Sequence, residues 1–142
     1  MIQLITGEKG KGKTKVLLEN VNSAVEAVTG NIVYLDKSAK HMYDLNNKIR
    51  LINLSEYDIL DSSEFFGFLT GIISQDHDLE KVYLDSFLSI SQTKENDQED
   101  LLKSLDRLSK IGDKYNVSFV VSLSRNAAEL PDIPNAEIIC SL

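Results

Sequence analysis

Eight residues, Gly7-Glu8-Lys9-Gly10-Lys11-Gly12-Lys13-Thr14, carry the strongest chemical signal in this chain. They fit the spacing G-x-x-x-x-G-K-[ST], the Walker A pattern of a phosphate-binding loop. Glycines at Gly7, Gly10 and Gly12 let the backbone turn tightly and aim successive N–H groups into a concave nest for an anion. Lys13 is placed to reach the outer phosphates of a nucleoside triphosphate, and the Thr14 hydroxyl to hold a Mg²⁺ that bridges them. Lys9, Lys11 and Lys15 add positive charge around the same loop. A helix opening at Thr14 would turn its positive end toward the anion.

Such a loop needs a buried strand before it and a helix after it. Ile2, Leu4 and Ile5 form the short apolar run, and Val16, Leu17, Val21, Ala24, Val25 and Val28 recur at roughly helical spacing. Gly30-Asn31 stops that helix, and Ile32-Val33-Tyr34-Leu35 reads as a buried parallel strand ending on Asp36. A short helix around Ala39 to Leu45 and a strand from Ile49 to Leu54 come next. Ser62 or Ser63 is expected to cap a well-buried helix through Ser74, with Gly67 and Gly71 allowing close packing on the sheet.

Lys81 to Asp85 is the next strand, and Phe87 to Ile90 continues its apolar character. Ser91 to Asp100 has no periodicity and reads as an exposed acidic loop. Leu101, Leu102, Leu105, Leu108 and Ile111 mark an amphipathic helix that Asn116 stops. Val117 to Leu123 and Glu137 to Ser141 are the last strands, joined by a loop that holds both prolines. Strands alternating with helices imply an α/β fold, a parallel sheet with helices on both faces.

With 142 residues, 42% hydrophobic and 26% charged, the whole span 1–142 is expected to form one domain around a single core. A net charge of −7 leaves no general basic footprint, which argues against nucleic acid and anionic membrane as partners. Cys140 is the only cysteine, so no intrachain disulfide forms; with no leader pattern or membrane-length apolar run, a cytoplasmic location is expected. His41 and His77 lack zinc-site spacing, and the five tyrosines are scattered rather than arranged for base stacking. Cys140, in an apolar strand, reads as core.

A Walker A loop leaves a metal half-held. The expected partner is a carboxylate at the end of a second buried strand, and Asp85 follows Val82-Tyr83-Leu84 in that setting. With these pieces the chain resembles a P-loop NTPase, and their order is similar to the RecA-like and AAA-type branch. The resemblance covers nearly the whole chain, and the Walker A motif is its specific part. It implies a three-layer α/β/α fold with a mainly parallel sheet of about five strands. It also implies binding of ATP and Mg²⁺, with Thr14 and Asp85 on the metal. In that branch a polar residue ending the sensor strand contacts the γ-phosphate or attacking water; Ser122 or Ser124 occupies that place, beside Arg125.

The departures shape the activity. Many members of the branch carry a glutamate directly after the Walker B aspartate to orient water; Ser86 stands there. RecA-like members use a carboxylate near the end of the second strand instead, which makes Asp36 the candidate water-positioning base. The Asn-Lys-x-Asp of GTPases, the Ser-Gly-Gly-Gln of ABC-type ATPases, the second lysine of the MinD-like branch and an arginine-bearing kinase lid are all missing. Adenine is favoured by that elimination. The expectation is a slow ATPase; the alternatives are a nucleotide-sensing module and a small-molecule phosphotransferase. RecA-like sites are often completed by an arginine from a neighbouring subunit, a role open to Arg107 or Arg125 in a homo-oligomer.

Overall fold

Alternation along the strands decides the architecture. In β2 (Asn31–Asp36), Ile32 and Tyr34 join one hydrophobic cluster while Val33 and Leu35 join another. β4 (Leu79–Leu84) and β5 (Ser118–Leu123) divide their side chains the same way, Tyr83 and Val120 on one side and Val82, Leu84, Phe119, Val121 and Leu123 on the other. Residues two apart share a face of a strand, so both faces of this sheet are apolar and both must be covered. The computed structural model, which describes every residue from Met1 to Leu142, covers them unequally. α1 (Lys13–Ala24) lies over one face with Leu17 and Val21. α2 (Ser62–Ser74), the single-turn α3 (Phe87–Ile90) and α4 (Gln98–Tyr115) share the larger cluster on the other.

The sheet has six strands, all parallel, in the order β3-β2-β4-β5-β1-β6. β1 spans Ile2–Thr6, β3 Ile49–Asn53 and β6 Ala136–Ser141. This is the three-layer α/β/α arrangement. Its consequence is positional: the ends of β1, β2, β4 and β5 come out along one rim, where parallel sheets place their ligands.

Several local expectations change. Asp61, not Ser62 or Ser63, caps α2, its carboxylate accepting the Glu64 N–H at 2.8 Å. An ionised acceptor also suits the helix dipole. Gly67 and Gly71 face solvent rather than the sheet, and a Cβ at either would touch nothing within 4 Å. The helix expected near Ala39 contracts to one 3₁₀ turn, Met42–Asp44. The segment expected as an exposed loop after Ile90 begins buried, because Ser91, Thr93 and Ser104 join their hydroxyls in a chain of 2.6 and 2.9 Å. Cys140 is only half-buried, since β6 is an edge strand.

α4 is pinned at both ends. Asp97 accepts the Asp100 N–H at 3.0 Å, and Asn116 closes the helix at φ 56°. Just before that cap, Gly112 lies so close to β5 that an added Cβ would sit 2.8 Å from the Val117 carbonyl oxygen and 3.3 Å from the Phe119 ring. Backbone cannot yield as a flexible side chain would. Gly112→Ala is therefore expected to destabilise the fold by about 1–3 kcal/mol, although alanine is the better helix former. Urea unfolding of the variant measures this, and an unchanged or higher midpoint would contradict the packing described here.

Candidate functional site

The rim at the strand ends gathers the residues singled out by their chemistry. β1 runs into the glycine loop, whose start is held by the Gly7 N–H donating to the Arg125 carbonyl at 2.9 Å, beyond the end of β5. Gly10 and Gly12 have φ of 83° and 92°, left-handed values that side chains other than glycine adopt only under strain. Gly12 is also the residue from which α1 departs, so the helix begins at Lys13, one residue earlier than expected.

Asp85 lies at the centre. Only 2% exposed, it follows the last residue of β4. Its Oδ1 accepts the Thr14 hydroxyl at 3.2 Å and the Ser122 hydroxyl at 3.1 Å, and its Oδ2 accepts the Tyr34 hydroxyl at 2.8 Å. β4 lies between β2 and β5, so Tyr34 and Ser122 arrive from the two flanking strands and Thr14 from the helix. Ser122 also accepts the Ser86 N–H at 2.8 Å, and Ser86 sits in the left-handed region at φ 58°. Burial and the neighbouring Asp85 charge push the Tyr34 phenol well above its ordinary pKa, so it stays a donor.

Lys13 is nearly buried, and its ammonium donates to the Glu8 carbonyl at 3.0 Å, inside its own loop. Burial lowers its pKa, against the opposing pull of Asp85. Asp36, 3% exposed, accepts the Lys37 N–H at 2.7 Å through Oδ1, while Oδ2 is buried without a partner. Burial and the Asp85 charge raise its pKa.

A cavity of about 430 Å³ opens above these groups, lined by Lys9, Lys13 and Lys37 and by Asp85, Ser86 and Ser124 among others, with Leu88 its single apolar residue. Polar walls with three ammonium groups suit a phosphate chain; no aromatic side chain is present to stack a base. Asp36 lies behind this wall rather than on it. Lys11 and Lys15 are exposed and do not line the cavity, so only Lys9 and Lys13 of the four loop lysines face it. Arg107, an exposed residue of α4, packs over the Phe66 ring of α2 at 4.7 Å and does not line the cavity.

No protein-family model matches this chain, and no curated protein matches it in sequence. The chemistry therefore has to be argued from the site itself. Its wall offers oxygen ligands, the Thr14 hydroxyl and the Asp85 carboxylate, and no His or Cys, which fits a hard cation such as Mg²⁺. The unpartnered Asp36 Oδ2 supplies unused acceptor capacity beside Asp85. Nowhere do three His, Cys, Asp or Glu side chains cluster around one metal position, so a cation here would also need phosphate oxygens.

Sequence reasoning missed Tyr34, Lys37 and Glu95. Tyr34 had a signal: a phenol inside an otherwise apolar strand needs a polar partner. Lys37 and Glu95 reach the cavity only because of how their loops are placed.

Two measurements check this geometry. Tyr34→Phe leaves Asp85 short of one donor and is expected to cost about 1–3 kcal/mol in urea unfolding. The second concerns pH. The fold raises the pKa of Asp36, so the native chain keeps that proton to higher pH than the unfolded chain. Its contribution to stability is full below the unfolded value, near 3.8, and is lost as pH rises through the folded one. Asp36→Asn removes that loss, so the ligand-free variant should gain stability over wild type as pH rises from about 4 to 8. Parallel pH curves would refute the burial of that charge.

Proposed function

We propose that this chain binds ATP with Mg²⁺ through Gly7–Thr14 and hydrolyses it slowly, in the manner of RecA-like P-loop NTPases. The observation that carries the reading is the Thr14–Asp85 hydrogen bond of 3.2 Å, which joins the loop hydroxyl to a strand-end carboxylate 71 residues away. In a Walker A site these two groups share the metal. The position of β5 between β1 and β4 adds support, because it carries Ser122 to Asp85 and Ser124 to the cavity wall.

Thr14 and Asp85 would hold the ion, with Asp36 beside them; a bound Mg²⁺ neutralises phosphate charge and acts as a Lewis acid. Lys13, released from the Glu8 carbonyl, and the loop N–H groups stabilise charge on the transferring phosphoryl group. Ser124 orients the terminal phosphate or the water. Asp36, set behind the wall, would orient that water and take its proton through one intervening water as the water oxygen bonds to phosphorus and the bond to the bridging oxygen breaks. A raised pKa suits a proton acceptor, but a carboxylate set behind the wall makes the reaction slow. Adenine rests on the missing guanine-reading motif alone.

A nucleotide-sensing switch is the second reading. The position after Asp85, a water-orienting glutamate in many members of the RecA-like and AAA-type branch, is Ser86, which here precedes α3 and offers no carboxylate. Arg125 is held near the loop by its backbone carbonyl, and one of its guanidinium nitrogens is buried without a hydrogen-bond partner.

Calorimetric titration of ATP–Mg²⁺ with phosphate release on the same samples separates these readings. Lys13→Ala is expected to weaken binding at least about tenfold, and Asp36→Asn to keep binding while slowing release about 10²-fold or more. Binding without turnover favours the switch, turnover only with an added acceptor favours a phosphotransferase, and no binding refutes the proposal.

A further inference from the structure

Lys9 belongs to the glycine loop, yet its ammonium reaches out to Glu95, 3.4 Å away on the segment that leads into α4. Both side chains are largely exposed, 78% and 66%. The pair sits on a seam. A second cavity of about 370 Å³ lies beside the first, with Glu8, Arg125 and Glu129 in its walls. Lys9, Leu88, Glu95 and Ser124 line both cavities.

Glu95 is held in place from behind. The Ser91–Thr93–Ser104 hydroxyl chain anchors the start of its segment to α4, and the Lys94 N–H donates to Asp100 at 2.8 Å. Within the phosphate pocket, then, a carboxylate on a fixed stalk occupies one of the loop's own cations. An exposed ion pair is worth little, whereas a polyphosphate brings several charges and the loop amides as well. The incoming anion wins Lys9.

We propose that the Lys9–Glu95 pair is a phosphate-displaced gate. Glu95 stands in for a phosphate oxygen on Lys9 while the loop is empty. An arriving phosphate chain takes Lys9, parts the seam between the two cavities and releases the Glu95 side chain to solvent. Glu95 thereby becomes a determinant of nucleotide affinity that opposes binding. This rests on the phosphate-binding reading of Gly7–Thr14.

The test is calorimetric titration of ATP–Mg²⁺ into wild type, Glu95→Gln, Lys9→Ala and the double variant. Glu95→Gln should bind about two- to fivefold more tightly than wild type, the factor expected from an exposed ion pair. Lys9→Ala should bind more weakly, and adding Glu95→Gln to it should give no further gain. Equal or weaker binding by Glu95→Gln overturns the gate, as does the same gain in the Lys9→Ala background, which would be a general charge effect. If wild type binds no ATP–Mg²⁺, the phosphate-site reading fails and the gate falls with it; binding unaffected by Glu95→Gln removes the gate alone.

Discussion

A carboxylate shut away from water at the end of a central strand is the constraint on which this rim depends. Asp85 is 2% exposed, and an ion in that position is tolerable only if donors replace its hydration. Three hydroxyls do so, from Tyr34, Ser122 and Thr14. Each comes from a different element, so satisfying one charge ties β2, β5 and α1 to the end of β4. The strand order follows the same logic: with β4 flanked by β2 and β5, two of the three donors come from its immediate neighbours.

The cations of the glycine loop are likewise occupied internally. Lys13 turns back to the Glu8 carbonyl and Lys9 turns out to Glu95. Both contacts use acceptors weaker than a polyphosphate, so the loop is held in shape without being closed to an anion. Asp36 is the counterexample. Its second oxygen has no partner, and its charge is disfavoured by burial and by Asp85. Such a group lowers the stability of the empty protein and is the kind of feature expected where an ion or a proton is to be received.

The two faces of the sheet divide the labour. Most of the hydrophobic core lies between the sheet and α2, α3 and α4, whereas α1 covers the opposite face with a smaller cluster. The helix that carries Lys13 and Thr14 thus rests on the thinner layer. Tyr34 and Tyr83 belong to that layer and stack at 6.2 Å, Tyr34 passing the packing upward to Asp85. The larger layer sets the height of α4, and through Ser104 the position of the segment bearing Glu95.

Much was legible from residue order alone. The glycine spacing defined the loop, because left-handed turns at Gly10 and Gly12 exclude other side chains. Unbroken apolar runs marked the buried parallel strands, and period-3.6 leucines marked α4, since both patterns are local consequences of backbone geometry. The strand-end aspartates were visible as candidates for the same reason. What residue order could not show was adjacency. That Ser122 rather than Ser124 bonds Asp85, that Tyr34 is its third donor, that Lys37 reaches the cavity and Asp36 does not, and that Glu95 meets Lys9 across 86 residues all follow from strand order and loop placement. These contacts depend on which strands lie side by side, and that is settled only when the whole sheet assembles and its buried charge finds its donors.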